Sequence, residues 1–252
     1  MKPVFLACAA AAAALSLAGC GGGGNESAGS GPAAPTGNQP AENVQPPANG
    51  DWTQVVVETP QGGYRMGNPN AEVKLLEYAS VSCPACAAFS AGGHEPLTQN
   101  YVKNGQVSWE FRPYMLFPTD PGLFSLLRCQ GPQPFFANVE QLFATQGDWS
   151  RRLGTIPPDQ VQALSNMAPQ QQAGAIVKAI RMDQFFRQRG MPQAQIDECL
   201  ANPASLQRLA EIQRVGQGDN VQGTPTFLIN GTPAEVITWP ELEPKIRQAL
   251  GQ

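Results

Sequence analysis

The sequence is short of charged residues and of histidine, and these shortages exclude several classes of function. Of 252 residues, 16 are lysine or arginine and 20 are aspartate or glutamate, which gives a net charge of −4 at pH 7. The basic residues form no cluster, so a nucleic-acid partner is not expected. Structural zinc needs four ligands, often two Cys-x-x-Cys pairs. The chain has one such pair and one histidine, His94, which we expect on a solvent-facing helix surface, so no metal site is predicted.

Beyond the amino-terminal stretch, no apolar run approaches the roughly 18 residues of a membrane-spanning helix. Lys2 precedes an apolar, alanine-rich segment, Val4–Leu17, which leads into Leu17-Ala18-Gly19-Cys20. This order predicts a cleaved targeting signal. Its last residues resemble the lipobox of bacterial lipoproteins, and the resemblance implies a signal peptide over 1–19 and lipidation of Cys20. An ordinary secretory signal with an incidental Cys20 is the alternative.

The lipobox resemblance also implies a location. The protein would lie on the periplasmic side of the cell envelope, anchored to the membrane by lipid on Cys20 rather than by a helix. Gly21 stands where the inner-membrane retention rule of enteric bacteria has aspartate, which mildly favours the outer membrane over the inner one.

Residues 20–51 combine the lipidated cysteine with a segment rich in glycine, proline and alanine. Between Gly21 and Gly50 there is no aromatic residue, and Val44 is the only large aliphatic one. Such a segment buries too little apolar surface to offset the entropy of ordering its backbone, so it predicts a disordered tether. The folded domain is then expected over 52–252. No dimerisation domain precedes it, and we expect a monomer.

From Trp52 onward, apolar runs typical of strands alternate with runs typical of helices. The predicted order is strand, helix, strand, a block of helices over about 120–218, two strands and a final helix. This order predicts an α/β fold with a helical insertion. Strands are predicted at Val55–Val57, Val73–Tyr78, Val107–Tyr114, Thr226–Ile229 and Glu235–Ile237, the last two paired as a hairpin, with turns over Pro60–Asn70 and a final helix over Trp239–Leu250.

Cys83-Pro84-Ala85-Cys86 comes after a buried strand and begins a predicted helix, which favours a redox pair. Pro84 is tolerated as the first helical residue, because its fixed φ suits that position and no N–H is needed there. Cys83 then lies at the helix N-terminus, where free N–H groups and the helix dipole stabilise a thiolate. Cys86, nearly one turn further along, is more sheltered. The first sulfur would attack, and the second would resolve the mixed disulfide.

A second motif, Gly223-Thr224-Pro225-Thr226-Phe227, puts a proline just before a buried strand. A cis Thr224–Pro225 bond would leave the Thr224 backbone free to pair with an extended chain, whereas a trans bond is the default. Together, the two motifs resemble the DsbA-like branch of thiol–disulfide oxidoreductases in the thioredoxin superfamily, over about 64–250. The resemblance implies a thioredoxin fold, a central mixed sheet flanked by helices, with an inserted helical domain.

The same resemblance implies roles for individual residues. Cys83 would be the nucleophile, Cys86 the resolving thiol, and Thr224 and Pro225 the substrate-binding loop opposite them. Glu77 matches the family's buried acid, which helps to move the proton of the resolving cysteine. The predicted strand around Glu77 is mostly apolar, which supports this match, because burying a charged group that has no function is costly in free energy. The alternative is a Glu77 exposed at the sheet edge.

Cys129 and Cys199 frame most of the helical block. In an oxidising compartment they are most simply a structural disulfide, and some members of the family carry one in this insertion. The alternative is a second redox pair that exchanges electrons with Cys83 and Cys86. Spacing alone does not fix the connectivity.

These observations predict an enzyme that forms disulfides in unfolded or cysteine-containing envelope proteins. A membrane redox partner would regenerate the Cys83–Cys86 disulfide, and no cofactor is expected. Ala85 stands where the best-known oxidases of the family have histidine, so the direction of electron flow stays open. A reductase or isomerase of the same fold is the closest alternative. A Cu(I) metallochaperone with two thiolate ligands is a more distant one.

Overall fold

A computed structural model of the chain describes residues 44–252. The predicted signal peptide, Cys20 and most of the predicted tether lie outside these residues. The strands of the described part are β1 (Val56–Glu58), β2 (Tyr64–Met66), β3 (Val73–Ala79), β4 (Val107–Pro113), β5 (Thr226–Ile229) and β6 (Thr232–Pro233). They form a mixed sheet in the order β1-β2-β4-β3-β5-β6. β3 and β4 are parallel, and the other neighbouring pairs are antiparallel.

Helices flank this sheet, and most of them lie in one insertion between β4 and β5. Within the described residues the α-helices are α1 (Pro84–Leu97), α2 (Asp120–Cys129), α3 (Phe135–Ala144), α4 (Gln146–Leu153), α5 (Pro158–Ser165), α6 (Pro169–Ala179), α7 (Met182–Gln188), α8 (Gln193–Ala201), α9 (Pro203–Gly218) and α10 (Trp239–Ala249). The predicted α/β fold with a helical insertion is confirmed. Among residues 44–252, no helix is both long and apolar enough to cross a membrane.

β3 is a central strand because its sequence suits burial on both faces. It pairs with β4 from Val73↔Val107 to Ala79↔Pro113, and with β5 from Leu75↔Ile229 to Tyr78↔Thr226. All of its residues except Lys74 are buried. A strand covered on both sides requires such a nearly continuous apolar run. The carboxyl end of β3 therefore delivers the chain, through a short loop, to the start of α1.

The predicted strand over Glu235–Ile237 is wrong, because the hairpin partner of β5 starts earlier. Asn230 and Gly231 both have positive φ, 50° and 84°, as a two-residue hairpin turn requires. The returning strand then begins directly at Thr232, which pairs with Ile229. Glu235 itself has a φ of 55°, which is incompatible with a strand.

The interpretation of Pro60–Asn70 as turns missed β2. This short strand pairs with both β1 and β4, antiparallel to each. Gly62 and Gly67, with φ of 89° and 109°, flank it and dominate the local pattern. Three residues carry too little periodicity to reveal a strand, so only the neighbouring β4 identifies it.

Candidate active site

Cys83 is the N-cap residue of α1. Its backbone is extended (φ −81°, ψ 122°), and Pro84 follows as the first helical residue. The loop from β3 closes with a hydrogen bond from the Cys83 N–H to Ser80 O at 3.1 Å. The Sγ atom of Cys83 accepts a hydrogen bond from the Cys86 N–H at 3.4 Å. The sulfur thus takes the place of the side-chain oxygen that usually satisfies a free N–H at a helix start.

This environment lowers the pKa of Cys83 to about 5. The largest cause is a hydrogen bond from the Cys86 side chain, and burial opposes it. The Thr224 side chain and the backbone N–H groups of Cys86 and Ala85 lower the pKa further. Donors directed at the sulfur, such as the Cys86 N–H, favour its charged form, so a pKa of about 5 makes the thiolate the main form of Cys83 at neutral pH.

Cys86 has the opposite character. It is 0% exposed, whereas Cys83 is 6% exposed. Burial is the main cause that raises the pKa of Cys86, and its hydrogen bond to Cys83 and the charge of Glu77 raise it further. The pair therefore contains one sulfur that ionises readily and one that keeps its proton.

Glu77 lies on the central strand β3 and is 1% exposed, not at an edge of the sheet. The indole Nε1 of Trp109 donates to its Oε2 at 3.0 Å. Burial raises the pKa of Glu77 to about 8, the Trp109 hydrogen bond opposes this shift, and the charge of Cys83 adds to it. The carboxyl is therefore poised to exchange a proton near neutral pH.

The Thr224–Pro225 peptide bond is cis, and it lies beside Cys83. Sγ of Cys83 lies 3.2 Å from Thr224 O, to which the sulfur donates when it carries its proton. The structure thus brings together Cys83, Cys86, Glu77 and Thr224, which come from β3, the start of α1 and the loop before β5. These elements converge because β3 pairs directly with β5.

Comparison with known proteins identifies the family to which this arrangement belongs. The family model described as Thioredoxin matches residues 59–247, which is most of the chain. The chain belongs to the thioredoxin family. A crystal structure of a protein-disulfide isomerase from Novosphingobium aromaticivorans is 29% identical, with a TM-score of 0.71, and the match covers 75% of this chain and 97% of that one.

Other relatives of this thioredoxin-family chain are more distant. Wolbachia pipientis alpha-DsbA1 is 15% identical, with a TM-score of 0.61, and 77% of this chain and 94% of that one are covered. A Rickettsia prowazekii protein, provisionally named a protein-disulfide oxidoreductase, is 21% identical over 79% of this chain. The chain spans only 65% of that relative's length. The expected thioredoxin fold is confirmed, and so is the resemblance in fold to DsbA-like proteins.

Cys129 and Cys199 form a disulfide in this thioredoxin-family chain, which leaves Cys83 and Cys86 as free thiols. The bond joins the end of α2 to α8, with a Cα–Cα distance of 6.1 Å and a sequence separation of 70 residues. Both cysteines lie within the insertion, whereas the free pair lies at the start of α1, after β3. Among residues 44–252, no group of three or more His, Cys, Asp or Glu side chains is placed to hold a metal ion.

The expectation that His94 faces solvent is wrong. Its side chain is only 16% exposed, with Nδ1 3.6 Å from Glu140 Oε1, and its ring meets the Trp109 ring at 5.4 Å. Burial lowers the pKa of His94, so the ring is neutral at pH 7. His94 lies on the face of α1 that packs on α3. It comes directly after Gly93, and the residues around it form no pattern that would predict this contact.

Sequence reasoning also missed Asp120 and Gln146. Both belong to the helical insertion, and both contact the loop between β3 and Cys83. Asp120 precedes Pro121 and has the appearance of an ordinary helix-start residue. Gln146 is one of many glutamines in the insertion, and no pattern distinguishes it from the others.

Proposed function

We propose that this protein is a thiol–disulfide oxidoreductase whose Cys83 and Cys86 alternate between a dithiol and a disulfide. The observation that carries the proposal is the contrast between the two sulfurs. Cys83, at the N-cap of α1, has its pKa lowered to about 5, while burial raises that of Cys86. A low-pKa sulfur is a good leaving group and a stable thiolate, which suits the sulfur that forms mixed disulfides with a substrate.

The chemistry begins with the oxidised pair. A substrate thiolate attacks Sγ of Cys83, the Cys83–Cys86 bond breaks, and a mixed disulfide between substrate and Cys83 forms. Cys86 leaves as a thiolate and takes up a proton, for which Glu77, with a pKa raised to about 8, is the donor. A second substrate thiolate attacks the substrate sulfur and expels Cys83 as a thiolate. The substrate gains a disulfide, and its two electrons reduce the cysteine pair.

Net disulfide formation is the direction that the low pKa of Cys83 supports. Stabilising the Cys83 thiolate stabilises the reduced enzyme, which makes its disulfide a stronger oxidant. The substrates would be cysteine-containing proteins of the envelope, presented as an extended chain beside Thr224 and Pro225. A membrane redox partner would then re-oxidise the pair. The alternative to net disulfide formation is isomerase activity, the function named for the Novosphingobium neighbour.

The amino-terminal sequence supports a proposed location. A lipid on Cys20 would anchor a monomer on the periplasmic side of the envelope, and the segment up to residue 51 would act as the tether. Metabolic labelling with a radioactive fatty acid, with Cys20→Ser as the matched control, tests this part. Label on both proteins, or on neither, overturns it.

The reduction potential of the Cys83–Cys86 pair tests the direction. Equilibration of the chain with glutathione buffers should give a value near about −120 mV, as for strong oxidants. A value near or below about −230 mV places the protein among reductants and overturns the assignment as an oxidase. The variant Cys83→Ser should show no equilibrium with glutathione in this range, which ties the signal to the pair.

A further inference from the structure

The Ser80–Cys83 segment, which joins β3 to α1, is held by side chains of the helical insertion. Gln146, the first residue of α4, is buried. Its Nε2 donates to Val81 O at 2.9 Å and to Cys83 O at 3.0 Å. A primary amide has two N–H donors, so both are used on this one segment.

Asp120, the first residue of α2, holds the same segment from another side. It is 0% exposed. Its Oδ1 accepts from Ser82 Oγ at 2.7 Å, and Ser80 Oγ donates to its two carboxylate oxygens at 3.0 and 2.9 Å. Its Oδ2 also accepts the backbone N–H groups of Leu116 and Phe117 at 2.8 and 2.9 Å. The carboxylate therefore ties the segment before Cys83 to the segment that leaves β4.

Neither side chain has a contact with the Cys83 sulfur, yet both bear on its orientation. The Cys83 carbonyl that accepts from Gln146 also accepts the Ala87 N–H at 3.1 Å, which is a first-turn hydrogen bond of α1. The ψ of Cys83, which sets this carbonyl relative to Cβ, and its χ1 together decide where Sγ points. In the observed orientation Sγ accepts the Cys86 N–H. Loss of the Gln146 amide leaves two buried carbonyl oxygens without that donor, which favours rotation of the segment.

We propose that Gln146 and Asp120 are positioning residues through which the helical insertion holds Cys83 as the N-cap of α1. Gln146 acts on the backbone carbonyls, and Asp120 acts on the serine hydroxyls. The insertion then does more than cover the sheet, because two of its helix starts set the reactivity of the thiol. This inference rests on the proposed redox role of Cys83, and it names residues that do not react themselves.

The central variant is Gln146→Met, which keeps the length of the side chain and removes both donors. We expect the ionisation constant of Cys83, read from thiolate absorbance near 240 nm against pH, to fall about tenfold. The equilibrium constant with glutathione should shift about tenfold toward the oxidised enzyme, which corresponds to about 30 mV. Both readouts report on the thiol itself, and a purely structural contact would leave them unchanged.

Gln172→Met is the matched control. Gln172 is another glutamine of the insertion, half-buried where Gln146 is buried, and its Nε2 donates to Leu164 O at 3.1 Å, within the insertion. This variant should lower the temperature of unfolding without changing either thiol readout.

Asp120→Ala and Asp120→Asn form a second pair of variants. Asparagine still has a carbonyl acceptor and N–H donors, with which the serine hydroxyls can pair after they rotate. Asp120→Asn should therefore restore most of the change in the two thiol readouts that Asp120→Ala causes.

The outcomes separate the two proposals. A folded Gln146→Met with the wild-type ionisation constant and glutathione equilibrium overturns the positioning role. If Gln146→Met does not fold, Ser82→Ala, which removes a half-buried hydroxyl from Asp120, must still shift both readouts in the same direction. No shift there also overturns the inference. A wild-type protein with an ordinary Cys83 and no exchange with glutathione contradicts the proposed function instead.

Discussion

At the scale of single residues, the candidate site is built on unequal ionisation of chemically identical side chains. Cys83 and Cys86 are one helical turn apart, yet their pKa values move in opposite directions. The difference comes from where each sulfur lies relative to the start of α1. N–H groups at the N-terminus point at Cys83, whereas Cys86 lies inside the helix, next to a buried carboxyl.

The reduced protein should gain stability through Cys83 as the pH rises from about 5 to about 9. Over this range folded Cys83, with a pKa lowered from 9.0 to about 5, has lost its proton, while the unfolded thiol still binds one. The unfolded state then binds more protons, so the free energy of unfolding increases with pH. Urea unfolding of reduced wild type and reduced Cys83→Ser at several pH values measures this. A difference between the two that does not vary with pH contradicts an ionised Cys83.

Glu77 should have the opposite effect. Its pKa is raised from 4.5 to about 8, so between these values the folded carboxyl keeps a proton that the unfolded one has lost. Stability therefore falls as the pH rises through this window, by an amount on the order of a few kcal/mol. Glu77→Gln keeps an acceptor for the Trp109 indole and should remove this fall. The measurement is made on the oxidised proteins, in which Cys83 does not titrate, so that only the effect of Glu77 remains. If the free energy of unfolding varies with pH equally in wild type and Glu77→Gln, the raised pKa of Glu77 is ruled out.

Single residues also mark the limit of prediction from sequence. The position of Cys83 as an N-cap followed from Pro84 and the strand before it, because capping is decided by neighbours in the chain. The burial of Glu77 depends on β4 and β5, which flank β3 from distant parts of the sequence. His94 was assigned to solvent for the same reason, since α3 covers it only in the folded chain.

At the scale of elements, the turn between β5 and β6 shows how a local motif sets register. The hairpin was predicted, but the two-residue turn at Asn230-Gly231 starts the next strand at once, at Thr232, three positions before the predicted one. Asn230 also fixes the turn to β3, because its Oδ1 accepts the Lys74 N–H at 2.8 Å. The length of β6 could not be predicted, because the positive φ of Glu235 that follows it has no sequence signature.

Gly231→Ala should destabilise the protein by about 1 kcal/mol, because φ at this position is 84° and a Cβ disfavours that conformation. The comparison is Gly92→Ala in the middle of α1, where an added Cβ meets nothing within 4 Å. Alanine is the better helix former by about 1 kcal/mol, so this change should stabilise the protein. Chemical denaturation of both variants measures the change in the free energy of unfolding, which should be negative for Gly231→Ala and positive for Gly92→Ala. A neutral or stabilising Gly231→Ala contradicts the turn geometry.

At the scale of the whole molecule, the order of elements was sufficient to predict the architecture. Strand-helix-strand, a helical block and strand-strand-helix leave few ways to build a sheet with a helical insertion. The order of elements does not show which residues of the insertion contact the loop that follows β3. Gln146 reaches Val81 across 65 positions and Asp120 reaches Ser80 across 40. Such contacts depend on packing of the insertion as a unit, and no local pattern encodes them.

The disulfide between Cys129 and Cys199 tests whether the insertion stabilises the molecule or takes part in electron transfer. The bond closes a loop of 70 residues, and in the chain-entropy model its loss costs about 4 kcal/mol. We expect the variant with Cys129→Ser and Cys199→Ser together to unfold at much lower urea concentration. Its Cys83–Cys86 pair should keep the wild-type glutathione equilibrium and rate of disulfide transfer, because the folded insertion still supplies Gln146 and Asp120. A variant of wild-type stability that has lost disulfide transfer would instead assign the second pair to an electron relay.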